Sequence, residues 1–149
     1  MRILAALSGG VDSAVAAARL IREGAEVVGV HLRTGVEAEA EAAGGSRSCC
    51  GADEARDARR VAAALGVPFY VVDVSDAFEH VIQDFVTAYG SGRTPNPCVL
   101  CNTGVKFGRL REVGTNLGCA AVATGHYARV ERADTGRYRL LRALNADKD

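Results

Sequence analysis

Apolar and polar positions along the chain fall into blocks that alternate between strand, loop and helix character. Residues 2–7 are a short apolar run fit for a strand. Residues 11–23 place Val11, Val15, Ala18 and Ile21 near helical spacing before Gly24 stops the pattern. Residues 26–32 are a β-branched run suited to a buried parallel strand. Residues 33–50 form a long connection, acidic in its middle and rich in Ala, Glu and Gly, a length that goes with function or mobility in a compact domain. A second helix is predicted over 52–65, laced with Asp53, Glu54, Arg56, Asp57, Arg59 and Arg60, with Gly66 behind it. A third strand over 68–74 precedes a helix over 76–88 that sets Phe78, Val81, Ile82 and Phe85 on one face. A turn-rich loop over 89–97 leads to a helix over 100–111 and a fourth parallel strand over 120–124. Residues 128–131 and 138–142 then form a hairpin around Asp134-Thr135-Gly136.

This alternation predicts a doubly wound, mostly parallel α/β sheet with a short β-hairpin near the C-terminus. In such a sheet ligands sit at the carboxyl ends of the strands, which here are residues 8–13, 31–33, 73–75 and 125–127. The first of these, Ser8-Gly9-Gly10-Val11-Asp12-Ser13, has the chemistry of a phosphate cradle. Two glycines let the backbone approach a ligand, two serines offer hydroxyls, and the N–H groups at a helix mouth favour an anion. It lacks the Gly-Lys-Ser/Thr ending of a Walker loop, and Ser13 stands where a dinucleotide fingerprint needs its third glycine.

Composition sharpens this picture in three ways. The 149 residues suffice for one domain with a core, and no apolar run approaches the ~20 residues of a bilayer-spanning helix. The N-terminal strand flows into a site loop and does not read as a secretion signal, so the expected location is the cytoplasm, with no membrane partner. Net charge is zero but lopsided: residues 1–90 carry 8 Lys/Arg against 13 Asp/Glu, and residues 91–149 carry 10 against 5. A basic C-terminal part suits a nucleic-acid face. Five cysteines, Cys49, Cys50, Cys98, Cys101 and Cys119, make an odd count that points to reactive thiols or metal ligation before a disulfide scaffold.

The second rich segment is Gly92-Arg93-Thr94-Pro95-Asn96-Pro97-Cys98-Val99-Leu100-Cys101-Asn102, followed by Lys106-Phe107. Two prolines stiffen the loop and fix the presentation of Arg93 and Asn96. Cys98 and Cys101 form a C-x-x-C at a helix start, where the helix dipole favours a thiolate, and Lys106 or Arg93 would push the same way. Cys49-Cys50, being adjacent, make a poor second half of a zinc site.

The first loop resembles the PP-loop of ATP pyrophosphatases, which cleave ATP between the α- and β-phosphates to activate a substrate as an adenylate. Taken with the Thr-Pro-Asn-Pro loop, its Cys-Asn and Lys-Phe, and Ala123-Thr124-Gly125-His126-Tyr127, the chain resembles the tRNA-specific 2-thiouridylase family from residue 1 to residue 149. That resemblance implies ATP-dependent 2-thiolation of the wobble uridine, position 34, of tRNA. The C2 oxygen is adenylated, and sulfur then arrives from a protein persulfide. It assigns ATP phosphates to Ala6, Leu7, Ser8, Gly9, Gly10, Val11, Asp12 and Ser13, and the adenosine part to Leu32 and Gly125. It assigns the target base to Asn96, Pro97 and Cys98, a tRNA contact to His126, and the catalytic thiol to Cys101. Asp12 would help to hold Mg²⁺, and Lys106 is a candidate for tRNA phosphate or thiolate. A sulfur-relay protein or cysteine desulfurase is the implied donor.

Two departures from the family pattern stand out. Many relatives carry Asp where this chain has Cys98. A thiol there could serve the same acid–base role, or could join Cys101 and one of Cys49 and Cys50 on an iron–sulfur cluster. The family's central domain, its C-terminal β-barrel and its persulfide-carrying cysteine are expected beyond Asp149, so the chain reads as an N-terminal fragment. Cys119 enters an apolar strand and reads as core. The competing readings are an amide-forming ligase of the same superfamily and a non-catalytic ATP- or tRNA-binding remnant.

Overall fold

The computed structural model describes residues 1–35, 52–142 and 144. Four strands, β1 (Arg2–Ala6), β2 (Glu26–Arg33), β3 (Phe69–Asp73) and β4 (Ala121–Ala123), form one parallel sheet in the order β3-β2-β1-β4. The order runs outward from β1 in both directions, so a crevice opens at its carboxyl end between β1 and β4. A separate antiparallel hairpin joins β5 (Arg129–Arg132) to β6 (Tyr138–Leu141).

Side chains alternate across each strand, and the two faces gather separate apolar layers. Leu4, Val30 and Leu32 face one way and pack with Val74, Val81, Cys101, Val105 and Leu110. Ala5, Leu7 and Val27 face the other way and meet Ala17, Ala58 and Ala62. The first layer is covered by α3 (Ser75–Gly90) and by a run of three contiguous helical segments. These are α4 (Pro97–Leu100), a π-helical stretch (Cys101–Phe107) and α5 (Gly108–Asn116). The second layer is covered by α1 (Val11–Arg22) and α2 (Ala52–Leu65), whose buried alanines let these helices sit close to the sheet. Helices on both faces make the fold the doubly wound parallel sheet expected from the sequence.

Boundaries differ where local physics decides them. β1 ends at Ala6, although the Leu7 N–H still donates to the Val30 carbonyl at 2.8 Å. The helix expected over 100–111 starts at Pro97 and ends at Asn116. Asn96 caps it by accepting from the Val99 N–H at 3.3 Å, and Pro97 supplies the preset φ of a first helical residue. The connection expected over 33–50 falls, beyond Gly35, outside the described residues, and so do Cys49 and Cys50.

Candidate functional site

The chain leaves β1 at Leu7 and turns through Gly9, whose φ of +85° belongs to the left-handed region open to glycine. A Cβ at Gly9 would also lie 2.7 Å from the Glu54 carbonyl oxygen, so the loop backs directly onto α2. Gly10 is the N-cap of α1 and offers no side chain, so the first N–H groups of the helix receive no side-chain cap. The two serines interlock across the turn. The Ser13 hydroxyl donates to the Gly10 carbonyl at 2.9 Å and accepts from the Ser8 N–H at 3.2 Å, and its oxygen lies 3.2 Å from the Ser8 hydroxyl. The Gly10 N–H points to the Ser8 hydroxyl at 3.4 Å. Hydroxyls, amides and a helix N-terminus thus converge on one small space, the donor set that a phosphate requires.

The loop after β4 closes the opposite side. Gly125 lies against the first turn of α1, and the Tyr127 hydroxyl donates to Asp12 Oδ1 at 2.7 Å. That hydrogen bond, and with it the Asp12 charge, pushes the Tyr127 phenol above its ordinary pKa. His126 Nδ1 lies 2.9 Å from the Thr124 hydroxyl, and its ring stands 5.6 Å from that of Phe107.

Between these walls lies a cavity of about 290 Å³. Its polar end is formed by Ser8, Gly10, Asp12 and Ser13. Ala6 and Leu7 lead into that loop, and Val30, Leu32, Phe107 and Leu110 add apolar lining. Lys106, Thr124, Gly125 and His126 complete the rim, and His31 reaches the wall from β2. Ten of the residues singled out from sequence therefore surround one space: Ala6, Leu7, Ser8, Gly10, Asp12, Ser13, Leu32, Lys106, Gly125 and His126. Gly9 and Val11 belong to the same loop but turn away, Gly9 toward Glu54 and Val11 into solvent. Thr124 and Phe107 were legible only as members of the Ala-Thr-Gly-His-Tyr and Lys-Phe motifs, and the apolar wall of Leu110 had no signal of its own in the sequence.

The cysteine segment lies outside this lining. Asn96, Pro97 and Cys98 begin α4, and Cys98 is exposed. Cys101, one turn on, is only 8% exposed and belongs to the apolar cluster of Leu4, Val30 and Leu32. Cys119 is half-buried against the same cluster, in keeping with a core role. The π-helical stretch sends Cys101 and Val105 inward and brings Lys106 and Phe107 to the cavity. Such stretches are uncommon and recur at functional sites.

For a hard divalent cation the Asp12 carboxylate is a suitable oxygen donor at the polar end of the cavity. Among the described residues no three His, Cys, Asp or Glu side chains gather into a metal site, so the described part of the chain gives the iron–sulfur expectation no support. Asp73, at a strand end, serves a different purpose. It pairs with Arg33 at 2.5 Å and accepts from the N–H of Ser75, the first residue of α3, at 2.9 Å, all outside the cavity. Among the described residues no helix is long and apolar enough to cross a membrane.

The profile of the family described as "tRNA methyl transferase HUP domain" matches residues 1–149. A protein of Beutenbergia cavernae named tRNA-specific 2-thiouridylase MnmA is 55% identical over 150 residues, covering 100% of this chain and 39% of that protein. One of the same name from Mycobacteroides abscessus is 57% identical, covering 100% of this chain and 40% of its own length. The chain thus spans about two fifths of the curated relatives it matches. Among solved structures, the NH3-dependent NAD synthetase of Campylobacter jejuni superposes with a TM-score of 0.52 at 19% identity, over 80% of this chain and 44% of its own. The NMN synthetase of Francisella tularensis gives 0.51 at 18% identity, over 80% and 43%. These two likenesses establish the shared fold.

Proposed function

Because the chain belongs to the tRNA methyl transferase HUP domain family, we propose that it is the nucleotide-activating part of a tRNA uridine 2-sulfurtransferase acting on the wobble uridine. In this reading Ala6 to Ser13 hold the phosphates of ATP, and Leu32 and Gly125 border its adenosine. Asp12 holds Mg²⁺, which neutralises charge on the phosphate oxygens. The observation that carries the reading is the cavity at the β1–β4 switch, polar at the serine loop and apolar at Leu32, Phe107 and Leu110. A nucleotide has that same division between its two ends.

The chemistry proposed for the whole protein runs in two displacements. The uridine C2 oxygen attacks the α-phosphorus, and pyrophosphate leaves with the electron pair of the broken P–O bond. The terminal sulfur of a cysteine persulfide then attacks C2, and AMP departs with the former uridine oxygen. The Cys101 thiolate attacks the inner sulfur of that persulfide, which frees the 2-thiouridine and leaves a disulfide between the two cysteines. Cys98, with Asn96 and Pro97, meets the base, and His126 and Lys106 contact tRNA. The second cysteine lies outside these 149 residues and is charged by a sulfur-relay protein or a cysteine desulfurase. Cys101 is buried in the free chain, so this reading requires the segment after Pro97 to shift when the base enters.

The test is exchange of labelled pyrophosphate into ATP, which reports reversible adenylation without any sulfur donor. The expected result is exchange that depends on tRNA and on uridine at position 34, and that falls at least ~10-fold in Ser13→Ala, because the hydroxyl that ties Ser8 to Gly10 across the loop is lost and the phosphates are misplaced. Exchange that ignores tRNA would overturn the reading in favour of a small-molecule ligase. Absence of both exchange and ATP binding would favour a non-catalytic module.

A further inference from the structure

We propose that His31 is a positioning residue for the phosphate loop: its ring holds the Leu7 carbonyl and thereby sets the angle at which residues 8–13 leave the sheet. His31 is 2% exposed, and its Nδ1 lies 2.8 Å from the Leu7 oxygen. A carbonyl can only accept, so Nδ1 carries a proton and donates. Nε2 is buried and has no partner among the described residues. An unmet polar atom in such a place disfavours the folded state, and a phenyl ring of similar size would not carry that cost. The ring is therefore tied to its surroundings through the Nδ1 side.

Leu7 is the residue that leads from β1 into Ser8 and the two glycines. Its N–H donates to the Val30 carbonyl at 2.8 Å and its carbonyl accepts from the neighbouring His31, so both of its backbone groups are fastened to β2. The hydrogen bonds of Ser8, Gly10 and Ser13 described above lie within the loop and give it shape, but they do not orient it against the sheet. The double fastening at Leu7 supplies that orientation. His31 also reaches the cavity wall, so a change in its tilt is passed to the space that phosphates would fill.

The proposal concerns the loop itself and rests on the ATP reading only for its effect on affinity. His31→Asn keeps an N–H donor on the same branch atom, and His31→Phe keeps a ring without a donor. In the ligand-free chain, Phe is expected to raise amide hydrogen exchange at residues 8–10 about five-fold, the effect of one ordinary hydrogen bond, while Asn stays within about two-fold of the wild type. Affinity for ATP should fall by a similar factor in Phe, with adenosine binding unchanged. A merely structural defect would weaken both ligands alike. Should Phe fail to fold, His31→Leu, which also lacks a donor, takes its place with the same expected contrast to Asn. Ring ¹⁵N shifts of the wild type should show Nδ1 as the protonated nitrogen. The opposite tautomer, or equal loop exchange in Asn and in the donor-less variant, overturns the proposal. A wild type that binds no ATP but keeps the exchange contrast removes the ATP reading and leaves the positioning role standing.

Discussion

An added methyl at Gly125 would lie 2.6 Å from the Ser13 amide nitrogen and 2.9 Å from the Asp12 carbonyl carbon. Both are backbone atoms at the start of α1, so neither can swing aside as a side chain would. Gly125→Ala must push the loop after β4 away from the phosphate cradle. The expected cost is about 1–3 kcal/mol of stability, the usual range for overpacking a close contact, together with a weaker nucleotide site. Gly10→Ala is the matched control. Its nearest contact would be the Ser8 hydroxyl at 3.4 Å, and its φ of −83° suits any residue. Denaturant midpoints of the two variants decide the matter, and a Gly125→Ala chain as stable as Gly10→Ala would refute the close packing. Asp12 is held from the same loop, since the Tyr127 phenol occupies one of its carboxylate oxygens.

At the junction of β3 and α3 one carboxylate adds a side-chain link to β2, beside the backbone bond from the Val74 N–H to the Arg33 carbonyl at 2.8 Å. Arg33 and Asp73 are register partners on neighbouring strands, and Asp73 also receives the N–H and the hydroxyl of Ser75. The Arg33 guanidinium, followed by the Ser75 donors, holds the Asp73 carboxyl well below the usual carboxylate range. A group depressed in this way stabilises the fold above its unfolded value of about 4, and that contribution is lost as pH falls toward its folded value. Both side chains are about half exposed, at 52% and 49%, so the contribution stays below about 1 kcal/mol. Asp73→Asn keeps an acceptor for the Ser75 N–H but removes the charge. The variant should be slightly less stable at pH 7, and the difference should begin to shrink below about pH 4 and go on shrinking as pH falls toward the folded value; a gap that stays constant below about pH 4 would contradict the assignment.

At this same scale the sequence was legible wherever pattern and punctuation agreed. The four parallel strands and the helices after β1 and β3 followed from apolar runs closed by Gly or Pro. The start of α4 at Pro97 was written in Asn96-Pro97, a capping residue followed by the imino acid that favours a first turn. The π-helical stretch was not legible, because its extra residue per turn follows from packing Cys101 and Val105 inward while Lys106 and Phe107 face the cavity. The burial of Cys101 escaped for the same reason. The C-x-x-C spacing places two thiols on successive turns but does not say which of them meets the core.

Over the whole molecule the net charge of zero conceals a division, −5 over residues 1–90 and +5 over residues 91–149. The strand order assigns that division a geometry, since the serine loop belongs to the acidic part while β4, Gly125 and the hairpin belong to the basic part. The hairpin holds Arg129, Arg132, Arg137 and Arg139 in and between β5 and β6. Arg139 is partly neutralised by Glu131 at 3.5 Å, and Arg129 is turned onto the Arg142 carbonyl at 2.7 Å. Arg132 and Arg137 have no ion-pair partner among the described residues and stand in solvent. If tRNA is the proposed substrate, these two are the cations with least to give up on meeting a phosphate. Replacing either by Ala should weaken tRNA binding evenly across sequences. It should also flatten the plot of log affinity against log salt by roughly 0.7–0.9 for each phosphate that is no longer neutralised. ATP affinity should not change, because neither residue lines the cavity proposed to hold the nucleotide. A salt slope unchanged in the double variant would show that tRNA approaches from another face, and the charge division would then be ordinary solvated surface.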